Sequence, residues 1–403
     1  MGRVLKRCVS GIWIRTRSPD PWSKTGRSKS QIGRMFEAIF WSSILLLGYT
    51  YVGYPALIRI LSGLRPKIVR KAPFYPRIVI VVISHNEEIN IRGKITNLLS
   101  LEYPKGKRRI VIVSDASTDG TDDIVQSYKS EGVSLIRMDE RMGKSAILNR
   151  VLPELDEEFV VLSDSRQTWN TESLRTLLEN FSDPSVGAVS GELVLAKGDG
   201  SFGEGLGFYW NYEKSIRKCE AAYDSTCGVT GCIYALRRSF FETIPGDTLL
   251  DDLVIPMNIT KKGHRVVFED RALAYDRVDE EPRTEWNRKI RTLSGNYQAF
   301  FAMPWLFHPF RNRLFLQLVS HKVMRIVAPF FLIACLLSNV FILQYPVYKA
   351  AFAAQVIFYG LALISFWADA RVLKPIKTFV FLNAVALMSL PVYLSGKQKV
   401  AWK

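Results

Sequence analysis

The chain has 403 residues, 48% of them hydrophobic and 23% charged, and a formal net charge of +16. So much apolar side chain excludes a disordered, solvated polymer, and so many charges exclude a chain lying wholly in lipid. Nine basic side chains stand against Asp20 alone in residues 1–35, a net of +8, so half of the excess charge sits in one tail. No basic run interleaved with aromatics marks a nucleic-acid surface, and no nucleic-acid partner is expected. The five cysteines (Cys8, Cys219, Cys227, Cys232 and Cys335) are odd in number and form no CxxC pair, which argues against a disulfide framework or a zinc knuckle.

In chain order, the basic tail 1–35 is followed by a run without charge over residues 38–58, and the first membrane-spanning helix is placed at 36–62. A water-soluble domain is expected over 63–303. Three more uncharged runs, 326–348, 350–368 and 378–396, make residues 326–403 three further spans and a short tail. Residues 304–325 interleave Trp305, Leu306, Phe307, Phe310, Leu314, Phe315 and Leu318 with Arg311, Arg313, His321, Lys322 and Arg325. That pattern is read as an amphipathic interface helix, a helix packed on the domain being the alternative. Arg65, Lys67, Arg70 and Lys71 after the first span, and Arg371, Lys374 and Lys377 between the third and fourth, place both loops on the cytoplasmic side. The tail of net +8 conflicts with this orientation. Either Met35 is the true start, or the first run is re-entrant.

Within the soluble domain, residues 77–84 (RIVIVVIS) and 109–114 (RIVIVS) are unbroken β-branched runs, each followed by a polar turn and a helical pattern. Shorter strands are expected at 134–137 and 158–163. Apolar strands alternating with helices imply an α/β domain, a parallel sheet covered on both faces, with its ligand at the carboxyl ends of the strands. Acidic and polar residues stand at those ends: His85, Asn86, Glu87 and Glu88 after the first strand, Asp115 and Asp119 after the second, Asp164 after the fourth. There is no GxGxxG after the first strand and no GxxxxGK[ST] anywhere, which disfavours a dinucleotide or P-loop site. Residues 115–120 imitate the start of a calcium loop, but Gln126 stands where a bidentate Glu belongs.

Five motifs in order carry a family resemblance: Ser84-His85-Asn86-Glu87, residues 114–121 (SDASTDGT), Met142-Gly143-Lys144 through Asn149, Asp164-Ser165-Arg166, and Thr230-Gly231-Cys232 followed by Asp251-Asp252. Together they resemble the family 2 glycosyltransferases of the GT-A fold, in the membrane-embedded branch that includes cellulose and hyaluronan synthases. The resemblance covers about residues 77–300. It implies a Rossmann-like nucleotide-sugar domain flanked by transmembrane helices. For the donor, it implies that Asp115 bonds the nucleobase N–H, that Glu87 contacts ribose or base, and that His85 takes the stacking position. Lys144 lines the donor site. Asp164 matches the first carboxylate of the DxD that holds Mg²⁺ or Mn²⁺ on the diphosphate, where the metal counters charge developing on the leaving group. Arg166 replaces the second carboxylate and either contacts phosphate or pairs with a nearby acid.

On the acceptor side, Asp252 matches the general base, with Asp251 orienting it or binding acceptor. The matching Thr230 and Gly231 are assigned to acceptor binding. Without the upstream motifs, Asp251 and Asp252 read as helix-capping acids; Asp119 and Thr121 are read as a helix N-cap region. Of the family's QxxRW only Arg291 is present, which the resemblance implies binds the diphosphate; Arg288 and Thr292 stand in for Gln and Trp, so the resemblance does not carry over the polymer grip that Trp supports.

The expected enzyme is a membrane-bound, inverting glycosyltransferase, moving a sugar from a nucleotide donor, UDP-linked by resemblance, to a polysaccharide or lipid-linked acceptor. Its partners are the donor, that acceptor and the bilayer. A polyprenyl-phosphate sugar synthase and a non-catalytic scaffold of an export complex are the alternatives. A transporter is disfavoured, because none of the four uncharged runs carries an ionisable residue.

Overall fold

The computed structural model describes residues 23–195, 201–276, 282–368 and 370–396. Most of the basic tail, residues 1–22, and the last residues, 397–403, lie outside the described residues. The soluble part is built on one eight-stranded sheet in the order β3-β2-β1-β4-β7-β6-β8-β5. Its strands are β1 (Ile78–Ser84), β2 (Arg108–Ser114), β3 (Val133–Arg137), β4 (Phe159–Ser163), β5 (Thr168–Trp169), β6 (Val186–Leu195), β7 (Ile233–Arg237) and β8 (Arg265–Asp276). All seven residues of β1 are buried. Successive side chains of a strand point to opposite faces. Val79, Val81 and Ile83 therefore join one hydrophobic core, with Val111 and Val113 from β2. Ile78, Ile80 and Val82 join the other, with Ile110 and Ile112.

The sheet corrects the expectation of all-parallel pairing. β1 runs parallel to β2 and β4, and β2 to β3, as expected. β7, however, is antiparallel to both β4 and β6, and β5 is antiparallel to β8. A short, fully buried apolar strand reads the same in either direction, so hydrophobic patterning cannot tell the two apart. The consequence is functional. β7 is paired beside β4, and β6 beside β7, so the segments leading into β7 come close to the carboxyl end of β4.

Four helices are long and apolar enough to cross a membrane: Gln31–Leu64, Phe315–Val340, Pro346–Ile364 and Lys374–Leu394. Each overlaps one of the four uncharged runs, the second reaching back to Phe315 and ending at Val340. Residues 304–325 do not form the single amphipathic helix expected of them. Pro304–Phe307 is one short 3-10 turn, and residues from Phe315 onward already belong to the second long helix. The interruption has a local cause. Pro309 has no N–H to donate, and the buried Asn312 closes the turn by donating to the Leu306 carbonyl (2.8 Å) and accepting from the Leu314 amide (2.9 Å).

The long helix Ser201–Tyr223 joins the sheet to these helices. Tyr212 donates to the Tyr51 carbonyl (2.8 Å), and Tyr54 donates to Glu220 Oε1 (2.6 Å). His321 lies between two carboxylates, with Nδ1 2.9 Å from Glu220 and Nε2 3.0 Å from Glu213. Arg325 pairs with Glu213. His321 is thus an interfacial residue, and His264 is stacked on Phe240. Cys219, Cys227, Cys232 and Cys335 are all free thiols.

Close packing inside the sheet gives a stability test at Gly187 in β6. A Cβ there would fall 2.5 Å from Ile259 Cγ2 and 2.9 Å from His264 Cβ. Gly187→Ala is expected to destabilise the domain by about 1–3 kcal/mol, read as a lowered thermal unfolding midpoint of the purified protein.

Candidate active site

The carboxyl ends of β1 and β2 are stitched together. Asn86 and Ala116 both take left-handed backbone conformations (φ 53° and 52°), which turn the chain sharply after each strand. Asn86 suits this region, and its Oδ1 accepts from the Thr118 amide (2.8 Å). The Glu87 amide donates to Thr121 Oγ1 (2.9 Å), and the Glu88 amide to Asp119 Oδ2 (3.1 Å). Asp119 also accepts from the Thr121 amide (3.1 Å). It does what a helix-capping residue does, the plainer of the two sequence readings. His85 Nδ1 lies 2.7 Å from the Asp115 carbonyl oxygen, which fixes the ring over the second loop. Glu87 accepts from Asn90 (2.7 Å).

Asp115 is fully buried. Its Oδ1 accepts from the Met142 amide (2.7 Å) and its Oδ2 from the Gly143 amide (3.0 Å). In this structure its carboxylate therefore holds the loop that leads into the helix Lys144–Val151. Gly143 has φ 83°, a conformation that a Cβ would penalise. The turn delivers Lys144 to the end of β4, its ammonium 3.3 Å from Asp164 Oδ1 and 3.3 Å from Asp251 Oδ2. With Asp251 the contact is ionic, and Oδ2 accepts no hydrogen bond. Burial alone would lower the Lys144 ammonium, but Asp164 and Asp251 outweigh it and hold it well above its ordinary range.

Asp251 and Asp252 open the helix Asp251–Lys261, where the exposed amides and the helix dipole favour carboxylates. Gly231 packs against the second of them, its Cβ position being 3.4 Å from Asp252 Oδ2. Burial, and then the charge of Asp251, push Asp252 up to about 6, against the lowering effect of Lys144, Lys322 and Arg217. Lys144, Asp164, Asp251, Asp252 and Gly231 thus form one cluster. Tyr234 adds a fully buried hydroxyl with no hydrogen-bond partner, whose ionisation is opposed by burial and by Asp251.

Three expected site residues are placed differently. Arg166 donates to Asp276 Oδ2 (2.7 Å), so it pairs with an acid, the second of its sequence readings. Thr230 is held by Arg217 and Ser190. Arg291 lies on the helix Pro282–Ala302 with a buried, unpartnered Nε, and makes no hydrogen bond or ion pair to this cluster. Sequence reasoning missed Asp276, Tyr234 and Lys94. Lys94 is buried, donates to the Gln167 carbonyl (2.7 Å) just beyond Asp164, and is pulled down to about 7 by burial. Asp276 and Tyr234 lie on strands, and Lys94 on a helix, at positions that carry no motif, so no local signal marked them.

Residues 79–244 match the family model described as glycosyl transferase family 2. The chain carries a family 2 glycosyltransferase domain. It is 21% identical over 300 residues to the poly-β-1,6-N-acetyl-D-glucosamine synthase of Staphylococcus aureus (strain COL), covering 71% of each chain. It is 25% identical over 260 residues to the probable glycosyltransferase YdaM of Bacillus subtilis (strain 168), covering 60% of this chain and 61% of that protein. Among solved structures, the mannosyltransferase PcManGT of Pyrobaculum calidifontis, in complex with GDP-Man and Mn²⁺, aligns with a TM-score of 0.67 at 24% identity, over 90% of this chain and all of its own. That likeness bears out the GT-A fold of this glycosyltransferase.

The two oxygens of Asp115 supply the test of this subsection. Asp115→Ala leaves two loop amides unpaired, each costing about 1–3 kcal/mol if buried. The expected outcome is a lowered unfolding midpoint together with weakened nucleotide binding, measured by calorimetry with UDP and GDP.

Proposed function

We propose that the protein transfers a sugar, with inversion, from a nucleoside diphosphate sugar to a polysaccharide or lipid-linked acceptor at the cytoplasmic face of a membrane. The observation that carries this reading is the Asp252 carboxylate. It is raised to about 6 by burial and by Asp251, in a cluster where the one ammonium of Lys144 lies 3.3 Å from both Asp164 and Asp251. Asp252 takes the proton of the attacking hydroxyl as the new bond to the anomeric carbon forms and the bond to the diphosphate oxygen breaks. Lys144 offers positive charge on the side where the diphosphate departs. Arg166 is paired with Asp276.

The donor set suits a divalent cation held mainly by substrate. Among the described residues, no three His, Cys, Asp or Glu side chains gather as a metal cage. The Asp164 side chain is 28% exposed, with one oxygen beside Lys144 and the other without a hydrogen bond among the described residues. Mg²⁺ commonly takes one or two carboxylates and completes its shell with phosphate and water. Asp164 would hold Mg²⁺ or Mn²⁺, and the cation would counter the charge of the leaving diphosphate. The membrane assignment is supported by the four long apolar helices and by the basic residues flanking the first and fourth. An N-acetylglucosamine polymer synthase among the relatives favours a UDP-linked amino sugar as the first donor to try.

The test is release of nucleoside diphosphate by the purified full chain in lipid vesicles, with UDP-N-acetylglucosamine, UDP-glucose and GDP-mannose, with and without Mg²⁺ or Mn²⁺. Metal-dependent turnover of one donor, abolished by Asp252→Asn, is expected. Nucleotide binding without turnover of any donor would favour the scaffold instead. The sign of the pH dependence follows from the base: Asp252 acts only when deprotonated, so kcat/KM is expected to fall below an acidic limb near pH 6.

A further inference from the structure

The loop of residues 228–231 touches Asp252 at two places. The Val229 amide donates to the Asp252 carbonyl (2.9 Å), and Gly231 lies against the carboxylate itself. Gly228 is equally confined, since a Cβ there would sit 3.2 Å from the Asp252 carbonyl oxygen. Whatever holds this loop therefore fixes the direction in which Asp252 points.

One side chain does so from outside the site. Arg217, on the helix Ser201–Tyr223, donates through Nη1 to Thr230 Oγ1 (3.1 Å) and through Nη2 to the Gly228 carbonyl (3.2 Å). Nη2 also lies 3.4 Å from Ser190 Oγ, which in turn accepts from the Thr230 amide (2.8 Å). The guanidinium is backed by the Phe268 ring at 5.4 Å. A planar fork with several fixed donors can grip two loop positions at once, as an ammonium cannot. Arg217 is fixed in turn, because Glu213 and Glu220, one turn before and after it on the same helix face, are tied to Arg325, His321 and Tyr54 of the long apolar helices.

We propose that Arg217 is a positioning residue for the transfer step: it clamps the 228–231 loop against Asp252, and it ties the base to the membrane helices. The inference rests on the assignment of Asp252 as base in the preceding subsection. It also gives Thr230 a different task from acceptor binding, as the grip by which Arg217 holds the loop.

The clamp is tested in the full chain in lipid vesicles with the same three donors, comparing wild type, Arg217→Met, Arg217→Lys, Thr230→Val and Asp252→Asn. Arg217→Met and Thr230→Val are expected to lower kcat about 10- to 100-fold, with donor KM little changed. The groups whose charge acts on the Asp252 carboxylate are Asp251, Lys144, Lys322 and Arg217, with the Tyr234 hydroxyl in the same field. Removing one cation, in Arg217→Met, moves the acidic limb of kcat/KM to higher pH, whereas Thr230→Val leaves it in place. Arg217→Lys keeps the limb but recovers only part of kcat. A folded Arg217→Met with unchanged kcat, or a loss confined to donor KM, overturns the clamp. If that variant does not fold, unchanged kcat in both Arg217→Lys and Thr230→Val does the same. Full activity of Asp252→Asn overturns the assignment of the base instead, so the two failures are separable.

Discussion

The ammonium of Lys144, set between Asp164 and Asp251, is the interaction on which the rest of the site depends. Asp164 follows β4, Asp251 begins a helix far along the chain, and Lys144 begins another; its ammonium reaches both acids, and Ser145 and Asn149 of its helix bond the 244–248 segment that leads into Asp251. Two carboxylates brought together in a half-buried pocket repel one another and resist ionisation. A cation between them removes that cost and leaves the neighbouring Asp252 as the carboxylate that still feels burial and like charge. The same ammonium lowers Asp252, against the burial and the charge of Asp251 that push it up.

Delivering Lys144 to that point demands an exact backbone. Its turn depends on a glycine at φ 83° and on the buried Asp115, which accepts both amides just before the helix. Asp115 is held in register by the hydrogen bond of its own amide to the Ser84 carbonyl (2.8 Å) at the end of β1. Strain at Ala116 and the network of Asn86, Thr118, Asp119 and Thr121 serve the same end, fixing two loops whose strands are rigid and fully buried. Polar side chains in these loops spend their hydrogen bonds on the backbone of their neighbours, which is why so many residues of the family motifs turn inward.

The helix Ser201–Tyr223 joins this machinery to the long apolar helices. Its acids Glu213 and Glu220 are buried, and buried carboxylates require partners. His321, Arg325 and Tyr54 provide them from the first and second of those helices. A break in any of these contacts would leave a charge stranded in a poorly solvated junction. The arrangement therefore specifies how the domain sits on its helices more than it adds stability.

The sequence by itself determined the elements that depend on composition and local pattern. The four long apolar helices, the strands β1 to β4 and the acidic residues at their ends were legible because apolar runs and polar turns are properties of neighbouring residues. Asp164, Asp251, Asp252 and Lys144 were singled out by motifs in the right order, without any indication that one ammonium would touch two of the acids. Only the tertiary structure decided that β7 runs antiparallel beside β4, that residues 304–325 break at Pro309 and Asn312, that Arg166 is neutralised by Asp276, and that Arg217 reaches the 228–231 loop. Each of these depends on which distant segments lie side by side. Hydrophobic periodicity records whether a residue is buried, but it does not record against what.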